Sequence, residues 1–143
     1  MKKSIFVRVR RDPVDTALSI LKMRRQYAGS EDHWVSLRPL EYDELKKHPN
    51  EEQAVGQVFL LEKYMSAQLA ALPSERYLDV DYEAFCRDPA KTLQDVRGRF
   101  SIRGGEVALR DAPSPFEVSR PAETHGAAEV ARVRAAVREF YGG

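Results

Sequence analysis

The 143-residue chain predicts an α/β fold, helix-rich, with few parallel strands and helices packed on them. Three observations lead there. Residues 4–10 alternate apolar and polar side chains and run into Arg11, Asp12 and Pro13, a strand followed by a tight turn and a helix start. A second β-rich run, Tyr77 to Val80, feeds another short helical stretch, and 3.6-residue apolar periodicity fills much of the remainder.

The elements follow in order. In the first strand Ile5, Val7 and Val9 share one face and Phe6, Arg8 and Arg10 the other, so burial is expected mainly on one side. A central parallel strand is usually apolar on both faces, so this one is either an edge or covered on its polar side by something else. The next helix, 13–27, is expected to bury Val14, Ala17, Leu18 and Leu21, to turn Lys22, Arg24 and Arg25 to solvent, and to stop at Gly29. Residues 29–40 read as a loop, in which Trp34 either lines a pocket or packs over its own loop, and His33 has no catalytic partner beside it in sequence. A short helix over 41–47 precedes a long one capped by Asn50 and reaching Leu72, with Ala54, Val58, Leu61, Met65 and Leu69 as its core stripe. After the strand at Tyr77, Asp88 and Pro89 start a helix to Phe100. This second Arg-Asp-Pro, at 87–89, follows a short helix and is assigned a capping role only. Residues 101–126, rich in Gly and Pro, are expected to be irregular, and 127–141 to form a helix with Val130, Val133, Val137 and Phe140 along one side.

Composition bounds the function. A chain of this length suits one domain and buries roughly 68% of its unfolded surface. The 43% hydrophobic and 31% charged content is that of a globular protein. A lone Cys86 excludes an intrachain disulfide framework and points to a buried thiol in a reducing cytoplasm. No long apolar run opens the chain, so neither a secretion signal nor a membrane span is expected. Residues 1–25 hold eight Lys and Arg against two Asp, a local charge of +6 within a net +1, which suits an anionic ligand. No groove-reading motif or basic and aromatic interleaving marks a nucleic-acid binder. No Cys or His spacing marks a metal site, and none is expected.

Arg11 at the strand end, with a helix N-terminus after it and Ser19 two turns on, forms half of an anion site: backbone N–H groups, a forked guanidinium and a hydroxyl all suit a phosphate. An ordinary βα junction with an exposed arginine gives the same local pattern. Arg-Asp-Pro-x-Asp-x-Ala-x-Ser, over Arg11 to Ser19, resembles the 3′-phosphate-binding segment of sulfotransferases that use 3′-phosphoadenosine 5′-phosphosulfate (PAPS). Residues 33–45, 51–73 and especially RYLDVDYEAFCRDPAKTLQDV (76–96) are similar to stretches of bacterial members, so the resemblance covers about residues 4–100.

The resemblance implies a shortened P-loop-NTPase-like sulfotransferase fold and PAPS, or its product 3′-phosphoadenosine 5′-phosphate (PAP), as cofactor. It implies cofactor contacts by Arg11 and Ser19, by Tyr82 near the adenine, and by Arg120 in a C-terminal closing loop. Packing of the strand on the next helix explains Tyr82 equally well. The family's opening Gly/Ser/Thr-rich loop, which holds the 5′-phosphosulfate, has no counterpart here: none of the eight glycines lies between a strand and a helix beside a Lys-Ser or Thr-Thr pair. The upstream catalytic base is likewise unmatched, so the catalytic residues are unassigned. The chain is therefore expected to be a single domain lacking that loop. It either transfers sulfate when the loop is supplied, or serves as a non-catalytic module whose sheet is covered by a second copy or a partner protein.

Overall fold

The alternation of residues 4–10 becomes β1, Phe6–Arg10, and the second β-rich run becomes β2, Tyr77–Asp81. They pair in parallel as a two-stranded sheet. The computed structural model describes residues 4–102 and 111–142. Its helices are α1 (Pro13–Ala28), α2 (Tyr42–Leu45), α3 (Asn50–Ala70), α4 (Tyr82–Arg87), α5 (Pro89–Ile102), α6 (Pro121–Thr124) and α7 (Ala127–Tyr141). A helix-rich α/β fold with parallel strands is thus what forms. Contacts divide it into two compact units, Met1–Arg11 with Ala67–Ser119 and Asp12–Ser66 with Arg120–Gly143.

The first unit is built on the sheet. Its register sets Val7 beside Leu78, Arg8 beside Asp79, Val9 beside Val80 and Arg10 beside Asp81. One face therefore carries matched charges and the other matched apolar side chains. Arg8 grips Asp79 with two hydrogen bonds, Nε at 2.6 Å and Nη2 at 2.7 Å. The expected burial of one face fails on β1: Val9 is 55% exposed although its neighbour Val80 is only 7% exposed. Among the described residues α4 packs on β2, and with two strands described β1 is an edge. Helix starts in this unit follow from their caps. Asp81 accepts from the Ala84 N–H to begin α4, and Asp88 accepts from the Lys91 N–H to begin α5, the capping role expected of the second Arg-Asp-Pro. Cys86 is a free thiol, buried as expected. Of the segment expected to be irregular, 103–110 lies outside the described residues, 111–120 is without regular structure, and 121–124 is instead helical as α6.

In the second unit Asp12 caps α1 by accepting from the Asp15 N–H at 3.0 Å, Pro13 occupies the first turn, and Gly29 ends the helix at φ 73°. Its Ala17, Leu18 and Leu21 pack with Ala54, Val55, Val130, Val133 and Ala136 of α3 and α7. Each fully buried Leu or Val in this cluster contributes about 1.5–3 kcal/mol relative to exposure. Gly56 keeps α3 thin where Leu45 and Phe140 approach it: an added Cβ would lie 2.5 Å from Leu45 Cδ2.

Three expectations fail here. Arg24 is fully buried and not solvent-facing. Its Nη1 donates to the Glu31 carbonyl and Gln53 Oε1, its Nη2 to Gln57 Oε1, and its guanidinium lies 4.7 Å over the Trp34 ring. Desolvation lowers its pKa from the ordinary value. The core stripe of α3 also fails past its middle: burial runs continuously over Gln53–Val58, while Met65 is exposed. Polar partners on the loop side cover Gln53 and Gln57, so one segment of the helix is enclosed all round. Asn50, finally, is the first helical residue and does not cap; its Nδ2 donates to Asp32.

Trp34 packs over its own loop, edge-on to Tyr42 at 4.8 Å, and donates to the Leu37 carbonyl. Gln57 Nε2 donates to the carbonyls of Val35 and Leu37, bracketing Ser36 at φ 67°. A non-glycine residue there costs about 1–3 kcal/mol and persists only where its surroundings over-determine it. Gln57→Ala is therefore expected to lower stability by about 1–3 kcal/mol, because it strands the Val35 carbonyl and the Arg24 Nη2 and leaves the Leu37 carbonyl with Trp34 alone. Urea unfolding measures the loss, and the emission of Trp34, the sole tryptophan, reports the released loop.

Candidate functional site

Parallel strands gather ligand-binding groups at their carboxyl ends, because loops and helix starts converge there. Here that end is an open cleft of about 400 Å³ lined by Arg10, Arg11, Asp79, Val80 and Asp81. The register produces it. Arg10 lies beside Asp81, and the next residue of each strand brings Arg11 to Tyr82, the first residue of α4.

The Arg11 guanidinium lies 4.7 Å over the Tyr82 ring, and its Nη2 donates to the Ser119 carbonyl at 2.7 Å. The two acidic residues of the cleft are engaged locally. Asp79 is held by Arg8, whose hydrogen bonds keep its carboxyl below the ordinary value, and Asp81 caps α4. The lining is formally neutral, Arg10 and Arg11 against Asp79 and Asp81, but with both carboxylates engaged the guanidinium donors suit an anion.

Of the four cofactor-binding residues expected from the sequence, the structure brings Arg11 and Tyr82 into contact in the first unit. Tyr82 does so with a ring face occupied by arginine. Ser19 and Arg120 belong to the second unit. The Ser19 hydroxyl donates to the Asp15 carbonyl at 2.8 Å, the usual back-bond of a serine inside a helix. Arg120 precedes α6 and approaches Glu123 at 3.8 Å.

Two contacts went unread in the sequence, one in each unit. The Ser119 carbonyl is main chain and carries no residue signal. Asp15, buried, accepts from the Ala122 N–H at 2.8 Å and so holds the start of α6. An acidic residue in the first turn of a helix normally answers its own helix, which hides such a distant partner. Among the described residues no group of three or more His, Cys, Asp or Glu is placed to hold a metal ion, and no helix is long and apolar enough to cross a membrane.

The family model described as the sulfotransferase family matches residues 2–103, a span that includes both strands, Arg11, Ser19 and Tyr82. No curated protein and no solved structure matches the chain.

The Arg8–Asp79 pair carries a pH signature. Because the folded state holds the Asp79 pKa below its ordinary 3.8, the pair's stabilisation is present above that value and is lost as pH falls through the lower folded one. The melting-temperature advantage of wild type over Asp79→Asn should accordingly be constant near neutrality and shrink below pH 3.8. An advantage that persists unchanged at the acid end would contradict the assignment.

Proposed function

The chain belongs to the sulfotransferase family, and from that premise we propose that it binds PAPS, or the product PAP, with Arg11 receiving the 3′-phosphate. The single observation that carries this reading is an arginine at the carboxyl end of a parallel strand, in a cleft whose carboxylates are already engaged. A guanidinium offers a phosphate two parallel N–H bonds, about twice as strong as neutral ones. Arg10 adds charge to the same cleft, and the family pattern assigns Ser19 a hydroxyl contact and Arg120 a place in the closing loop. The donor set suits the 3′-phosphate. The 5′-phosphosulfate needs a Gly/Ser/Thr-rich loop that these 143 residues do not contain. The bound nucleotide supplies an activated sulfuryl group; what this chain's residues supply is the grip and orientation of the far phosphate. Transfer to an acceptor hydroxyl or amine then requires the loop to come from elsewhere.

Isothermal titration with PAP tests the reading. Arg11→Ala should weaken binding roughly 10- to 150-fold, the loss of a charged hydrogen-bonding partner at about 1.5–3 kcal/mol. Equal affinity of the two proteins, or no binding by either, would refute it.

A second reading is favoured by the exposed apolar side chains of β1, Val7 at 46% and Val9 at 55%. On this reading the chain is a non-catalytic sulfotransferase-like module whose sheet is covered by a second copy or by another protein. Its self-association arm predicts a dimer in sedimentation at micromolar concentration that Val9→Asp dissociates without loss of helical circular dichroism. A wild type that stays monomeric and folded there counts against it.

A further inference from the structure

Arg11 does not face its cleft unopposed; the chain itself holds it. Residues 111–119 run without regular structure and mostly exposed, yet contacts at Phe116 and Ser119 tie them down within the first unit. The Phe116 N–H donates to the Cys86 carbonyl at 2.8 Å, and its ring meets Phe85 at 5.6 Å between centroids, so the strap is pinned onto α4. Three residues further on, the Ser119 carbonyl accepts from Arg11 Nη2.

Both of the forks a guanidinium can offer an oxyanion, Nε with Nη2 and Nη1 with Nη2, draw on the two N–H bonds of Nη2. A carbonyl on Nη2 removes one fork. It is also a neutral acceptor standing where a charged one would bind more strongly.

We propose that residues 116–119 form a strap that competes with an anionic ligand for Arg11: the Ser119 carbonyl is the chain's own occupant of the guanidinium, and the Phe116 anchor on α4 sets how firmly it is held. Ligand phosphate and docked strap then oppose each other, and loosening the anchor raises affinity. The proposal rests on the nucleotide reading given above.

Titration with PAP and hydrogen exchange test it together. Phe116→Ala removes the ring anchor from an exposed position; Phe116→Leu retains an apolar one. The alanine variant should bind PAP about 2- to 10-fold more tightly than wild type, the worth of one ordinary hydrogen bond, and the leucine variant nearly as wild type. In wild type PAP should accelerate exchange of the Phe116 amide, because the strap lifts. That measurement stands even if the alanine variant misfolds. Binding of PAP by wild type with no gain in Phe116→Ala, or slower Phe116 exchange on adding PAP, overturns the strap and leaves the nucleotide reading intact. No binding by any of the proteins overturns both.

Discussion

The register of the two strands is the constraint on which the candidate site depends. Val7-Arg8-Val9-Arg10 lies against Leu78-Asp79-Val80-Asp81, charge beside opposite charge and apolar beside apolar. A slip by one residue would set Arg8 beside an apolar side chain and reverse both faces of the sheet. Cross-strand charge pairs are worth only about 0.2–1 kcal/mol each, so the Arg8–Asp79 grip contributes more to selecting the pairing than to overall stability. Selection matters at the end of the strands. Only this register brings Arg11 to Tyr82 and sets Arg10 beside Asp81 in the cleft.

The second unit solves a different problem, the burial of a charge. Arg24 is enclosed by two glutamine side chains, a carbonyl and an indole, with no carboxylate among the acceptors of its hydrogen bonds. Neutral oxygen acceptors and a ring face spread the compensation for desolvation over several elements. The same glutamines bond outward, Gln53 to the His48 carbonyl and Gln57 to Val35 and Leu37, so one buried cation organises α1, α3 and the loop between them. Removing Gln57 strands the Arg24 Nη2 and the Val35 carbonyl together, a dependence that apolar packing lacks.

What could be read from the sequence was whatever local chemistry decides. Asp12 and Pro13 start α1, Gly29 ends it, Asp88 caps α5, and β1 and β2 fall where β-rich runs predict them. Arg24 was misread because its helical position looks solvent-facing and its partners lie about thirty residues on, at Gln53 and Gln57, which periodicity cannot see. Met65 was misread because the apolar repeat of α3 continues past the segment that is enclosed. In the site, Arg11 was visible from its place after an alternating strand. Its carbonyl partner at Ser119 was not, since a main-chain acceptor has no letter of its own. The complementary V-R-V-R and L-D-V-D runs were legible in principle, and they predict both the pairing and its register.

The core of the second unit joins helices made early to one made late. Leu18, Leu21 and Val55 close against Val130 and Val133 of α7, and the sheet unit's residues 67–119 are inserted between them in the chain. During synthesis at about 5–20 residues per second, α1 and α3 therefore leave the ribosome seconds before the helix that completes their core. For that interval their apolar faces are open to chaperones and to neighbouring nascent chains. A stalled ribosome would leave a product with α1 and α3 formed and no α7 to cover them.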